Sequence, residues 1–209
     1  MKQGKWITFE GGEGAGKSSL VQELSIRLKR EGIEHLKSCE PHGTELGKEL
    51  CTILLRQRAT LSARTMLLLF LAARVQHLET CILPALERGI WVLCDRFHDS
   101  SVAYQGGAEG LGEEEVYSLC LRVCGPHLPD LTFYLDCPPA IGILRARKRD
   151  GGRQDAFEQA PLSYHERVQE SFLKHIERER ERRLFCTLNS QLPPQEVADA
   201  AYRILRTHF

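Results

Sequence analysis

The apolar positions of the chain follow two alternating patterns. Short, nearly unbroken apolar runs predict strands over Trp6-Ile7-Thr8-Phe9, Ile90-Trp91-Val92-Leu93-Cys94, Leu131-Thr132-Phe133-Tyr134-Leu135 and 184–188, and the more polar 34–38 offers a weak one. Between them, apolar residues recur every three or four positions and predict helices. Leu20, Val21, Leu24 and Leu28 mark a helix over 19–30, closed by Gly32. Thr44 caps a helix over 45–56. Ser62 caps a longer one with Met66, Leu67, Phe70, Leu71 and Val75 on one broad face, running towards Arg88 and stopping at Gly89. Further helices are predicted over 113–124, 140–149, 161–183 and 194–207, and the polar, glycine-containing stretch 150–160 is predicted to be a mobile loop. Strands alternate with helices from end to end, which predicts an α/β fold: a mostly parallel central sheet of about five strands flanked by helices. Apolar runs of this kind suit strands covered on both faces. The 209 residues fit one domain, 1–209, with a short mobile lid at about 145–160.

The first strand leads into Gly11-Gly12-Glu13-Gly14-Ala15-Gly16-Lys17-Ser18, a G-x-x-x-x-G-K-S phosphate-binding loop. Its glycines let the backbone curl so that successive N–H groups point at phosphate oxygens. Lys17 reaches the β- and γ-phosphates of ATP and the Ser18 hydroxyl reaches Mg2+. The strand before the loop and the helix after it are the context this motif requires, and the helix N-terminus faces the anion. The fold predicted is therefore that of the P-loop NTPases.

Composition narrows the function. Lys+Arg and Asp+Glu are both 28, so the formal net charge is zero and no basic footprint for nucleic acid is present. The longest apolar run, 66–73, is too short to span a membrane. The N-terminus enters a strand directly, without a signal peptide. The eight cysteines form no C-x-x-C and read as free thiols of a reducing, cytoplasmic compartment.

Open parallel sheets bind ligands at the carboxyl ends of their strands. Glu10, Asp95 with Arg96, and Asp136 stand at such ends. Asp95 occupies the place where a P-loop protein puts a carboxylate that helps hold Mg2+, and Arg96 beside it suits a phosphate. Asp136 reads as structural. Phe70 and Arg74, four residues apart on one helix, share a face. They are either a core ring and a surface charge, or a ring and a donor fork for a base. Residues 100–107, with Ser100, Tyr104 and Gln105, read as a polar loop near the same strand end. Arg145, Arg147, Lys148, Arg149 and Arg153 form a basic cluster, either a solvated helix face or a source of a mobile arginine for a transferring phosphoryl group. The run 177–183 alternates Glu and Arg and reads as a solvated, internally paired helix face.

The guanine-reading N-K-x-D of GTPases is absent, since Asn189 is followed by Ser190. Phe9-Glu10-Gly11 through Ser18, Glu40-Pro41-His42-Gly43-Thr44, Phe70-Leu71-Ala72-Ala73-Arg74, Asp95-Arg96-Phe97-His98-Asp99-Ser100-Ser101-Val102-Ala103-Tyr104-Gln105-Gly106 and Pro129-Asp130-Leu131 to Asp136 closely resemble the thymidylate kinase family, in its order and spacing over nearly the whole chain. The resemblance implies transfer from ATP to dTMP with Mg2+, supporting dTTP synthesis, in a homodimer. It implies that residues 11–18 hold ATP and that Phe70 stacks on thymine while Arg74 bonds its edge. It implies that Arg96 holds the acceptor phosphate, that Ser100 and Gln105 line base and sugar, and that Tyr104 crowds the 2′ position. Glu10 and Asp95 would organise acceptor and metal. The loop interior lacks arginine, as in the bacterial type, so the lid would supply one, with Arg149 and Arg153 as candidates. Four positions depart from the family pattern: Cys39 for arginine, His42 for glycine, Phe97 for tyrosine or histidine, and Ala156 for the arginine of the lid motif. Three other classes stay open: a different nucleoside or nucleoside-monophosphate kinase, an ATP-dependent switch protein, and a paralogue that binds nucleotides without turnover.

Overall fold

Five strands, β1 (Trp6–Glu10), β2 (His35–Cys39), β3 (Trp91–Asp95), β4 (Leu131–Asp136) and β5 (Phe185–Asn189), form one parallel sheet in the order β2-β3-β1-β4-β5. The computed structural model describes residues 4–149 and 156–209, Arg149 by its backbone only. Each predicted strand is present, shifted by a residue at most. The apolar runs of β1, β3 and β4 are nearly unbroken because helices cover both faces. On one, α1 (Lys17–Arg30) and α9 (Pro194–His208) pack Leu24, Leu28 and Leu205 against Ile7, Phe9 and Phe133. On the other, Leu78 and Ile82 pack against Trp6, Val92 and Phe97. Thr8 and Thr132, buried on neighbouring strands, satisfy each other's hydroxyls at 2.8 Å. The strand order reverses at β1, so its carboxyl end opens the crevice where such sheets bind ligands.

Both predicted caps are in place. Thr44 Oγ1 accepts the Gly47 N–H at the start of α2 (Glu45–Gln57), and Ser62 Oγ accepts the Thr65 N–H at the start of α3 (Ala63–His77). The single helix expected over 62–88 is instead α3, a π-helical turn (Leu78–Ile82) and α4 (Leu83–Glu87). Pro84, in the first turn of α4, offers no N–H to the carbonyl of Thr80, and its ring crowds that carbonyl; the ladder widens by one residue. By length and composition Ala63–Glu87 is apolar enough to cross a membrane. Here one face of it packs on the rest of the protein, 44% of its most apolar window being buried, with Arg74 and His77 held against Glu40.

The stretch expected to be a polar loop is the largest departure. It forms α5 (His98–Ser101) and a π-helical segment (Val102–Ala108), both buried. Helices α6 (Glu113–Cys124), α7 (Pro139–Arg149) and α8 (Leu162–Glu179) follow, and α8 packs on the π-helical segment. The contact needs a glycine: a Cβ on Gly107 would lie 2.3 Å from Ser171 Oγ.

The charged run 177–183 is not the solvated face expected. Glu177 and Arg180 pair at the surface, but Glu179 and Arg183 are buried. Tyr117 donates its hydroxyl to Glu179 at 2.6 Å. Arg183 donates to both oxygens of buried Asp99, and His175 Nε2 lies 2.7 Å from Asp99 Oδ1. Burial opposes ionisation of Asp99, but Arg183, His98 and His175 outweigh it and hold the carboxyl well below its usual range. Asp136 has the structural role expected, accepting from Gln169 Nε2 of α8 at 2.9 Å.

Asp99→Ala strands the Arg183 charge in the interior. The expected cost is about 3–5 kcal/mol, read as a lowered midpoint in chemical denaturation; a loss below about 1 kcal/mol would make the pair dispensable.

Candidate active site

The loop after β1 is pinned against the first turn of α7. Gly14 has a φ of 63°, and a Cβ there would lie 1.9 Å from the Gly142 carbonyl oxygen. Lys17 opens α1, and its Nζ donates to the carbonyls of Gly11 (3.1 Å) and Gly12 (2.8 Å). Burial and the nearby Arg96 lower the pKa of this amine, against the pull of Asp95, Glu13 and Glu10. Ser18 Oγ donates to Asp95 Oδ2 at 2.6 Å. A cleft of about 760 Å3 opens here, lined by Glu13 to Ser18, Asp95, Arg145 and Ser190. Gly11 and Gly12 stand behind it, their carbonyls on Lys17. Ser190 Oγ braces the loop at the Ala15 carbonyl (2.6 Å), and Arg145 holds Ser190 in turn (2.8 Å).

A second cleft, about 180 Å3, adjoins the first, and Phe70, Arg74, Arg96, Ser100, Tyr104 and Gln105 all line it. Arg96, at the end of β3, has a φ of 70°, a left-handed conformation that a side chain disfavours. Its guanidinium donates to Gly11 O (3.1 Å), Ser100 Oγ (3.0 Å), Glu13 Oε1 (2.8 Å) and Tyr104 OH (3.3 Å). Tyr104 also donates to Glu13 Oε1 at 2.7 Å. Burial works against the Glu13 charge, but Arg96, Lys17 and the Tyr104 hydroxyl overcome it and bring the carboxyl down to about 2. Glu13 thus belongs to both clefts, with its carboxylate among the residues of the smaller one.

Arg74 is both buried and occupied. Nε donates to Glu40 Oε2 (2.6 Å), one terminal nitrogen to Ser101 Oγ (2.9 Å) and the other to the Phe97 carbonyl (3.1 Å). Of the two readings of the Phe70–Arg74 pair, a surface charge is excluded, and both residues face the same cleft. Glu10 does not line either cleft. It is buried behind them, taking the Phe97 N–H on Oε1 (2.7 Å) and the Ser100 hydroxyl on Oε2 (2.6 Å). Burial and Asp99 push its carboxyl up to about 8, against Ser100, Arg96 and the Phe97 N–H.

The thymidylate kinase family model matches residues 9–201. A protein of Chlamydia muridarum named thymidylate kinase is 46% identical over 203 residues, 96% of this chain and 98% of the relative. One of Magnetococcus marinus with the same name is 40% identical over 208 residues, covering 99% and 98%. A third, of Chlamydia caviae, is 47% identical over 175 residues, covering 82% and 84%. The chain belongs to the thymidylate kinase family.

The departures from that family's pattern fall at readable places. Cys39 and His42 line the larger cleft, and His42 the smaller one as well. Burial and Asp95 raise the pKa of the Cys39 thiol, which keeps it protonated. Phe97 is fully buried, edge-on to Trp6 at 4.6 Å. Ala156 is half-buried, while Arg153 and the Arg149 side chain lie outside the described residues. For a divalent cation the donor set fits Mg2+. Ser18 and Asp95 put two hard oxygens on the P-loop cleft, and Mg2+ takes few protein oxygens and completes its shell with water and phosphate. Glu10 has both oxygens engaged away from the cleft. Among the described residues, no three His, Cys, Asp or Glu side chains gather as a metal cage.

Sequence reasoning missed the Glu13 carboxylate in the smaller cleft, Glu40 as the partner of Arg74, Arg145 at the P-loop and Phe157 in the cleft wall. Glu40 had a signal, the Glu-Pro pair after β2; the others acquire their positions only from tertiary packing.

Glu10 makes the ligand-free protein's stability depend on pH in a calculable direction. Unfolded, its carboxyl releases its proton near 4.5; folded, it keeps it to about 8. Its contribution is complete below pH 4.5 and is lost as pH rises to about 8, with a slope of up to about 1.4 kcal/mol per pH unit. Glu10→Gln should flatten that slope in denaturation series taken across this range; an unaltered slope would assign the pH dependence elsewhere.

Proposed function

We propose that the chain transfers the γ-phosphoryl group of ATP to dTMP, giving ADP and dTDP, in the cytoplasm and in support of dTTP synthesis. The observation that carries this reading is the meeting of two clefts at Arg96 and Glu13: a P-loop on one side and an aromatic-walled, arginine-bearing recess on the other. Lys17 and the loop's N–H groups take the donor phosphates. Arg96, already aimed at the loop, takes the acceptor phosphate. Phe70 stacks on thymine, Arg74 presents donors to its edge, Ser100 and Gln105 line base and sugar, and Tyr104 fills the space a 2′-hydroxyl would need. Ser18 and Asp95 hold Mg2+, which neutralises charge across the donor phosphates. Arg149 or Arg153 supplies the positive charge that the loop interior lacks. Such chemistry asks mainly for alignment, charge stabilisation and exclusion of water.

The pairing of two chains belongs to the same reading, and Leu68, 55% exposed on α3, is the apolar position it would cover.

The test is ADP release with Mg2+-ATP and dTMP, dUMP, dCMP, dGMP, AMP or thymidine as acceptor. The expected outcome is fast turnover confined mainly to dTMP. Folded, ATP-binding protein that releases no ADP in response to any acceptor would favour a switch or an inactive paralogue. Lys17→Ala should lower kcat by about 10²–10³-fold while dTMP still binds in calorimetry; near-normal turnover would remove Lys17 from the donor site.

A further inference from the structure

The smaller cleft has a wall that none of the expected site residues supplies. Phe157 stands across it from Phe70, with ring centroids 6.2 Å apart and planes inclined at 55°. Tyr104 approaches the same ring edge-on at 6.4 Å. Behind Phe157 lies the Arg58 guanidinium, 4.7 Å from the ring centroid. Arg58 is itself fixed. It donates to Glu109 Oε1 at 2.8 Å, and the same oxygen accepts the Tyr164 hydroxyl at 3.0 Å. The Glu109 side chain is only 7% exposed, so this is an enclosed ion pair rather than a surface one.

We propose that Phe157 is a specificity-determining residue of the acceptor site, gripping the planar base from the face opposite Phe70, and that Arg58 positions it. The inference rests on the function proposed above. A base stacked between two rings needs its neighbours roughly 7 Å apart, twice a carbon contact of about 3.5 Å. The rings stand about 1 Å closer than that and inclined, so Phe157 swings outward and towards parallel when a base enters. Arg58, which lies over the ring and does not line the cleft, limits the swing, and the slot therefore accepts a flat heterocycle and rejects a thicker group.

Full-length Phe157→Ala, Phe157→Leu and Phe157→Tyr are compared in steady state. Phe157→Ala should raise the KM for dTMP about tenfold with kcat and the KM for ATP within about twofold, Phe157→Tyr should resemble wild type, and Phe157→Leu should fall between. Inhibition by 2-deoxyribose 5-phosphate, which lacks the base, should be unchanged in Phe157→Ala. Arg58→Ala should reproduce part of the KM rise and Arg58→Lys, which keeps a cation over the ring, should restore it. The chain has two tryptophans, Trp6 buried in the core and Trp91 packed on Phe209, so Phe157→Trp adds a distinct reporter. Its fluorescence should change saturably with dTMP and not with deoxyribose 5-phosphate, whether or not turnover occurs. An unchanged KM for dTMP in Phe157→Ala overturns the proposal, as does a parallel loss of deoxyribose 5-phosphate binding, which would make the ring a structural support. A Phe157→Trp protein whose fluorescence responds to dTMP, beside a wild-type protein that releases no ADP with any acceptor, would instead overturn the proposed reaction and leave the slot standing.

Discussion

Arg96 is the point on which the two clefts depend. Its backbone is held in a left-handed conformation that costs about 1–2 kcal/mol for a residue with a side chain. The cost is met because its N–H donates to the Phe9 carbonyl on β1, and because the guanidinium bonds at once to the P-loop, Ser100, Glu13 and Tyr104. A relaxed backbone at the end of β3 would direct the side chain away from the loop. Fixing it here brings a permanent positive charge to the seam between the two clefts, where burial works against the charge but Tyr104, Glu13 and Asp95 outweigh it.

A positive charge in this position must be balanced without neutralising its function. Glu13 balances it from the loop, and Glu10 sits behind with Ser100, its proton retained to about pH 8. A second set of buried charges supports the helix that carries Ser100: Asp99 on α5 is locked by Arg183 and His175, which follow or lie within α8. Adjacent residues of α5 thus face opposite ways. Ser100 points to the clefts, Asp99 to an enclosed ion cluster, and the cluster fixes the rotation of the short helix. Arg74 plays the matching part on the other side, spanning Glu40 after β2, Ser101 on α5 and the Phe97 carbonyl.

What the sequence made legible follows from this arrangement. The central strands β1, β3 and β4 could be read because both sheet faces are covered there, leaving apolar runs interrupted only by Thr8 and Thr132, whereas the edge strand β2, with His35, Lys37 and Ser38, gave a weak signal. The loop could be read because a phosphate cradle imposes glycines, lysine and serine at fixed places. Phe70 and Arg74 could be read as a pair because helical spacing puts them on one face. Residues 98–108 could not. Ser100, Ser101 and Gln105 look like loop residues until their partners are known, and Glu10 and Arg74 lie far away in the chain. The run 177–183 misleads for the same reason: Glu179 and Arg183 are paired not with each other but with Tyr117 and Asp99. Phe157 carries no periodic signal, standing alone after a polar stretch.

The difference between the two clefts has a physical logic of its own. The P-loop cleft is wide and polar, held by backbone groups and by one lysine already bonded to two carbonyls. A phosphate chain entering it exchanges those carbonyl contacts for charge-assisted ones, which are about twice as strong as neutral hydrogen bonds. The smaller cleft is lined by aromatic and aliphatic side chains together with Glu13, Glu40, Arg74 and Arg96. In the function proposed above, apolar contact there decides what fits, while Arg96 decides where the acceptor phosphate lies. A ligand anchored at both ends is oriented as well as bound, and its phosphate is brought to the seam where Glu13 and Lys17 also converge. Since phosphoryl transfer needs in-line placement far more than it needs covalent participation by the protein, a rigid arginine at that seam does more for the proposed reaction than an additional reactive side chain would.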